Sequence, residues 1–356
     1  MWRNLVGLMR FENGGGRRSG PLKARPRVDN PALAEIAPTG PNPGNLRMFA
    51  YAPPGLPRGA PLVTVLHGCG QTAAGYDLGA GWSALAQRHR FAVLAVEQKA
   101  VNNPGTCFNW FNPSDVTRGE GEAASIAAMI GQMQALYGSG STYITGLSAG
   151  GAMAAAMLAL YPELFAGGAI IAGLPFGAAT NVRDALEAMR SPPLKTPHQW
   201  GDLVRAASGH PGPWPGISIW HGAMDTTVNI GNAQASVAQW ADLQGLPLVP
   251  VRQDLVDGAV HLRWGDRLEL YTLPLLGHGT PIDSRDVGMA APYILDAGIS
   301  SSSRILDFWG LGAKPVETPA AKPAPAAPQP VMPSAEPVPL EPEPFLRRAL
   351  RKLRGL

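Results

Sequence analysis

Seven short apolar runs, separated by helix-like or glycine-rich stretches, occupy the chain from about Gly44 to Gly312 and decide its fold class. The runs are RMFAY (47–51), LVTVL (62–66), FAVLAV (91–96), TYIT (142–145), GAII (168–171), ISIW (217–220) and LELYTL (268–273). Short continuous runs of this kind suit strands buried on both faces. Helix-like segments lie between them, around 81–89, 122–136, 149–160 and 232–243. The alternation predicts an α/β fold with a mostly parallel central sheet and helices on both faces. With 356 residues and 45% hydrophobic content, the chain can bury such a core without staples.

The ends differ from this body. Residues 1–44 are rich in Gly, Pro and Arg without a sustained period and are expected to form a mostly irregular extension before one α/β domain at 45–312. Residues 313–344 are Pro/Ala-rich, too poor in apolar surface to fold, and read as a disordered tether. In the closing FLRRALRKLRGL (345–356), Leu346, Leu350 and Leu353 share a helical face opposite Arg347, Arg348, Arg351 and Arg354. Such a basic amphipathic helix suits a granule or membrane surface. Seven basic side chains against two acidic ones lie in 1–30, and five against none in 345–356; a net charge of +3 therefore leaves about −7 for the span between. A nucleic-acid partner is not expected, because phosphate contacts need a basic surface on the body.

No run of 18 or more apolar residues occurs, and the opening MWRNLVGLMRFENGGGRRSG lacks the features of a secretory signal, so the simplest expectation is an unexported, cytoplasmic protein. Two cysteines, Cys69 and Cys107, are too few for a disulfide framework or a zinc site. Neither a metal nor a cofactor is called for.

The strongest local feature is Gly146-Leu147-Ser148-Ala149-Gly150, a G-x-S-x-G box. The pattern alone is weak and needs the right surroundings. Here TYIT leads in and AGGAMAAAMLAL leads out, giving a strand, a sharp turn and a helix. Glycines at 146 and 150 remove side chains that would clash in so tight a reversal. Ser148 Oγ would then project above the sheet near the positive end of the following helix. The plainer alternative is a serine that only caps that helix.

A serine hydroxyl is a poor nucleophile at neutral pH and requires a base, which an acid must orient. In the order Ser, Asp, His, the chain offers Asp225 in WHGAMDTTV after ISIW, and His278 in LLGHGTPID after LELYTL. All three follow the C-terminal ends of strands, where loops of a parallel sheet converge. His89, His198, His210 and His261 read as surface residues. His221 is the nearest rival base, although it precedes Asp225 and reads better as a structural residue of its turn; Asp283 and Asp286 compete with Asp225. For the oxyanion, the amide of Ala149 and that of Cys69, in the turn His67-Gly68-Cys69-Gly70-Gln71 after LVTVL, are the expected donors.

In this order, LHGCGQTAAGY, CFNWFNPSD, RGEGEAASIAAMI, YITGLSAGGAMA, WHGAMDTTV, GHGTPID and GISSSSRILDFWGL resemble the esterase family of poly(3-hydroxybutyrate) depolymerases, a branch of the α/β-hydrolase fold that is also similar to acetylxylan and feruloyl esterases. The resemblance covers about Gly44 to Gly312. It implies the triad Ser148, Asp225 and His278, an oxyanion contribution at Cys69, and a polyhydroxyalkanoate or its oligomers as substrate. Secreted relatives suggest that Cys69 and Cys107 pair; two buried thiols are the alternative, and an extracellular location stays open beside the cytoplasmic one. Among aromatics near the expected crevice, Trp82, Trp110 and Phe111 are candidates for substrate contact, with Trp110 and Phe111 expected at the surface because Asn109, Asn112 and Pro113 flank them. Two other readings compete: an acetylxylan- or feruloyl-type carbohydrate esterase, and a granule- or membrane-associated binding protein with a vestigial hydrolase body.

Overall fold

The computed structural model describes residues 29–312. The expected tether at 313–344 and basic helix at 345–356 lie outside the described residues, as do residues 1–28 of the extension. In chain order the strands are β1 (Ala34–Ile36), β2 (Arg47–Tyr51), β3 (Leu62–Leu66), β4 (Ala92–Glu97), β5 (Thr142–Leu147), β6 (Gly167–Ile171), β7 (Gly216–Gly222), β8 (Arg252–Val256), β9 (Ala259–Arg263), β10 (Leu268–Leu273), β11 (Thr280–Ile282) and β12 (Ile294–Asp296). The helices are α1 (Ala73–Ala80), α2 (Trp82–His89), α3 (Gly121–Tyr137), α4 (Ala149–Leu160), α5 (Val182–Arg190), α6 (Pro197–Ser208), α7 (Gly231–Gln244) and α8 (Ser301–Phe308).

Ten strands make one sheet in the order β1-β2-β4-β3-β5-β6-β7-β10-β9-β8, while β11 and β12 pair separately. From β4 to β10 every neighbour is parallel; the flanking strands on both sides run antiparallel. This is the α/β-hydrolase architecture, with the alternation of strand and helix supplying the parallel centre.

Side chains alternate across the sheet as the period of two demands. Leu62 and Leu66 join the core that includes α3 and α4, whereas Val63 and Val65 join the core that includes α1, α2 and α8. Every residue of α4 is buried. Its sequence AGGAMAAAMLAL is apolar all round because no face of it meets water.

Three differences from the sequence reading have local causes. The expected irregular extension contains β1, which pairs with β2 in the register Ala34↔Ala50; a three-residue edge strand is too short to show a period. The helix expected at 81–89 is α2, but a helix that was not expected, α1, precedes it, and the two are separated where Gly81 adopts a left-handed φ of 79° and a β-carbon would lie 2.4 Å from Val287 Cγ2. The strands β8 and β9, absent from the seven apolar runs, form an antiparallel hairpin turned by Asp257 and Gly258 at φ of 47° and 81°.

Candidate active site

Ser148 stands between β5 and α4 at φ 57° and ψ −117°, a conformation that side chains avoid. The reversal is possible because of its glycines. A β-carbon on Gly146 would come within 2.4 Å of the Gly150 backbone, and one on Gly150 would approach the carbonyl oxygens of Leu66 and His67. The serine turn therefore rests directly on the end of β3, where the turn His67–Gln71 begins.

Asp225 follows β7 and His278 follows β10, so the loops after β5, β7 and β10 carry the three groups to one edge of the sheet. His278 Nε2 lies 2.9 Å from Ser148 Oγ, and its Nδ1 lies 2.7 Å from Asp225 Oδ2. Asp225 Oδ1 accepts from the amides of Thr227 and Val228 at 2.8 and 2.9 Å. Burial of the Asp225 carboxyl favours its neutral form, but hydrogen bonds from His221 and His278 and the Val228 amide outweigh that and hold it well below the usual carboxylate range. An ionised Asp225 requires the His278 proton to sit on Nδ1, which leaves Nε2 to accept from Ser148. The Tyr293 ring and the His278 imidazole pack in a T-shaped arrangement, with centroids 5.9 Å apart.

Across from this chain of bonds, His67, 1% exposed, donates from Nδ1 to the Gly68 carbonyl at 2.8 Å and accepts from the Gln98 amide at 3.1 Å. Burial pushes its pKa down, in keeping with a neutral ring. The Gly68 carbonyl and the Cys69 N–H belong to one trans peptide and point in opposite directions. Holding the carbonyl therefore aims the amide. Among the described residues, the amides of Cys69 and Ala149 have no acceptor, which is what an oxyanion hole requires. Cys69 and Cys107 are disulfide-bonded, which settles the two alternatives for these cysteines and ties the turn to the loop at 103–111.

Several expected residues lie elsewhere. Trp82 is fully buried and stacks on Trp309 with centroids 6.2 Å apart, so it offers no surface to a substrate. Trp110 and Phe111 form an edge-to-face pair inside the core rather than an exposed one. The flanking Asn109 misled because it is itself buried: its amide and Nδ2 donate to Glu122 at 2.9 and 2.8 Å. His261 is a buried partner of Glu269 at 2.8 Å, not a surface residue. Asp283 is engaged by Arg285 at 2.8 Å and Asp286 by Arg88 at 2.6 Å, whereas the carboxylate on His278 Nδ1 is that of Asp225. His221 approaches the Asp225 carboxylate to 3.4 Å, a contact that sequence spacing alone does not show.

A parallel sheet with a serine on a glycine-framed turn, a histidine against it and a carboxylate behind defines an α/β-hydrolase, and the comparisons with known proteins give its chemistry. Residues 46–250 match the family described as Esterase PHB depolymerase. Poly(3-hydroxyalkanoate) depolymerase C of Paucimonas lemoignei is 44% identical over 292 residues, 79% of this chain and 70% of that protein. A probable acetylxylan esterase A of Aspergillus flavus is 31% identical over 223 residues, 60% of this chain and 72% of the relative. Among solved structures, the acetyl xylan esterase from Aspergillus awamori superposes with a TM-score of 0.67 at 25% identity, covering 78% of this chain and 99% of that one. The chain belongs to the PHB depolymerase esterase family and is a carboxylic ester hydrolase.

Proposed function

We propose that the chain hydrolyses esters of 3-hydroxyalkanoates, polymer or oligomer, with Ser148 as nucleophile, His278 as general base and Asp225 as the group that orients the base. The observation that carries this reading is the unbroken run from Ser148 Oγ through both ring nitrogens of His278 to Asp225. Ser148 Oγ attacks the ester carbonyl carbon while its proton passes to His278 Nε2. The negative oxygen of the tetrahedral intermediate takes hydrogen bonds from the amides of Cys69 and Ala149. Collapse breaks the carbon–oxygen bond, and His278 returns the proton to the departing alkoxide. Water, deprotonated by the same ring, then releases the acid and restores Ser148.

The choice of substrate rests on the 44% identity to a polyhydroxyalkanoate depolymerase. Two exposed apolar side chains beside the site suit a polyester: Met224, adjacent to Asp225, and Leu275, on the loop leading to His278, are 61% and 88% exposed. An acetylxylan-type activity is favoured by the likeness to the Aspergillus awamori esterase. A vestigial body that only binds is disfavoured by the intact hydrogen-bonded run. The basic helix expected at 345–356 supports anchoring on an anionic granule coat or membrane.

Purified protein assayed in parallel on short p-nitrophenyl esters, amorphous poly(3-hydroxybutyrate) and acetylated xylan tests the substrate class. Turnover of the polyester with none of the xylan supports the proposal; the reverse replaces it with the carbohydrate reading. A serine-reactive organophosphonate should label Ser148 alone, and Ser148→Ala should lower kcat by at least about a thousandfold while leaving the circular dichroism spectrum unchanged.

A further inference from the structure

His221 is the last-but-one residue of β7, 2% exposed, and it makes two contacts from one ring nitrogen. Nε2 lies 2.8 Å from the Val228 carbonyl oxygen and 3.4 Å from Asp225 Oδ2. A carbonyl oxygen only accepts, so Nε2 carries the proton, donating it to the Val228 carbonyl with the Asp225 carboxylate beside it. Nδ1 is buried and, among the described residues, without a partner. The proton that the ring donates is thus placed on Nε2, toward Val228 and Asp225, and not on Nδ1.

The Asp225 carboxylate is then held by three hydrogen bonds and one further N–H in close approach. Oδ1 accepts from the Thr227 and Val228 amides, Oδ2 pairs with His278 Nδ1 at 2.7 Å, and His221 Nε2 lies 3.4 Å from the same Oδ2. Val228 is tied at both ends, its amide to Asp225 and its carbonyl to His221. The three residues form a closed clamp whose only member facing Ser148's base is Asp225.

We propose that His221 is a positioning residue of the ester-hydrolysing site: its Nε2–H locks the Asp225 carboxylate in the orientation that receives His278. This rests on the triad reading of Ser148, His278 and Asp225. His221 is hydrogen-bonded to neither Ser148 nor His278, and its effect is exerted through Asp225.

The test uses two near-isosteric polar variants in the full chain. In His221→Gln the side-chain amide occupies the place of Nε2 and can still donate; in His221→Asn it occupies the place of Nδ1 and cannot reach. Rates are normalised to sites titrated with an organophosphonate, so that loss of folded protein divides out. His221→Asn is expected to lower kcat about tenfold with KM within about twofold, and His221→Gln to recover all but about threefold of it. In an Asp225→Asn background, His221→Asn should cost less than about twofold more, because the group it serves is gone.

Equal losses in both backgrounds, or equal losses in the Gln and Asn variants, would overturn the proposal. So would a lowered melting temperature with kcat intact, which marks a purely structural residue. If His221→Asn does not fold, His221→Gln decides alone, since a kcat loss greater than about threefold contradicts a role met by one donor. Wild-type kcat in Asp225→Asn itself would instead remove the triad reading beneath the proposal, an outcome distinct from all the others.

Discussion

A β-carbon built on Gly150 would lie 2.4 Å from the carbonyl oxygen of Leu66. The turn that carries Ser148 and the strand end that leads to Cys69 are thus in backbone contact, with no side chain to give way. Gly150→Ala should separate the two turns. The expected outcome is a melting temperature lowered by several degrees and kcat on a p-nitrophenyl ester reduced at least about tenfold, from the displaced oxyanion donors. Wild-type kcat in a folded Gly150→Ala protein would show that the contact sets stability alone.

The roles proposed for His278 and Asp225 differ in what their loss leaves behind. His278→Ala removes the base and should cost nearly as much as losing Ser148, whereas Asp225→Asn leaves a base in the wrong tautomer and should retain more activity. Single-turnover rates of both variants check the order. A His278→Ala enzyme that keeps full activity would reassign the base.

Closing Cys69 to Cys107 joins residues 38 apart in sequence and holds the oxyanion turn against the loop at 103–111. The double variant Cys69→Ala/Cys107→Ala is expected to lose about 2–4 kcal/mol of stability by the usual loop-closure argument. Because Cys69 N–H is an expected donor, kcat should fall more than KM rises. Denaturant unfolding and steady-state kinetics, with and without reductant on the wild type, measure both effects.

Glu122 is buried beside the same loop, and desolvation, with the Asp115 charge adding to it, pushes its pKa from 4.5 up to about 8 against the hydrogen bonds from Asn109 and Gln98. A carboxyl protonated in the folded chain but ionised in the unfolded one binds more protons when folded. Its stabilising contribution is therefore full below pH about 4.5 and is lost as pH rises through about 8. Melting temperatures of the wild type and Glu122→Gln, taken from pH 4.5 to 8.5, should diverge in slope, with the wild type losing more on the alkaline side. Parallel curves would contradict the shift.

Much of the fold was legible because buried strands write themselves as uninterrupted apolar runs. LVTVL, RMFAY and LELYTL coincide with β3, β2 and β10, and AGGAMAAAMLAL coincides with α4. The strand β8, RQDLV, was illegible for the opposite reason: it is an edge strand with exposed side chains and no apolar face to betray it. At the site, the serine box, the order Ser, Asp, His and positions after strand ends pointed to Ser148, Asp225 and His278, which the structure brings into hydrogen-bond reach of one another. The aromatic assignments failed because burial is collective. Asn109 looks like a surface residue until Glu122, thirteen residues away, is known to sit against it.

The backbone of Ser148, at φ 57° and ψ −117°, is maintained by its neighbours, through its amide to the Ile171 carbonyl at 2.9 Å and its carbonyl to the Ala152 amide at 2.8 Å. Holding a side chain in such a conformation costs on the order of 1–3 kcal/mol, the same order as the benefit of filling a small cavity. Glycine alone occupies that region without penalty. The hydroxyl on which the proposed chemistry depends therefore sits at the one position of the turn where the fold would be sturdier with no side chain at all, and thermal endurance and reactivity are traded against each other in a single residue.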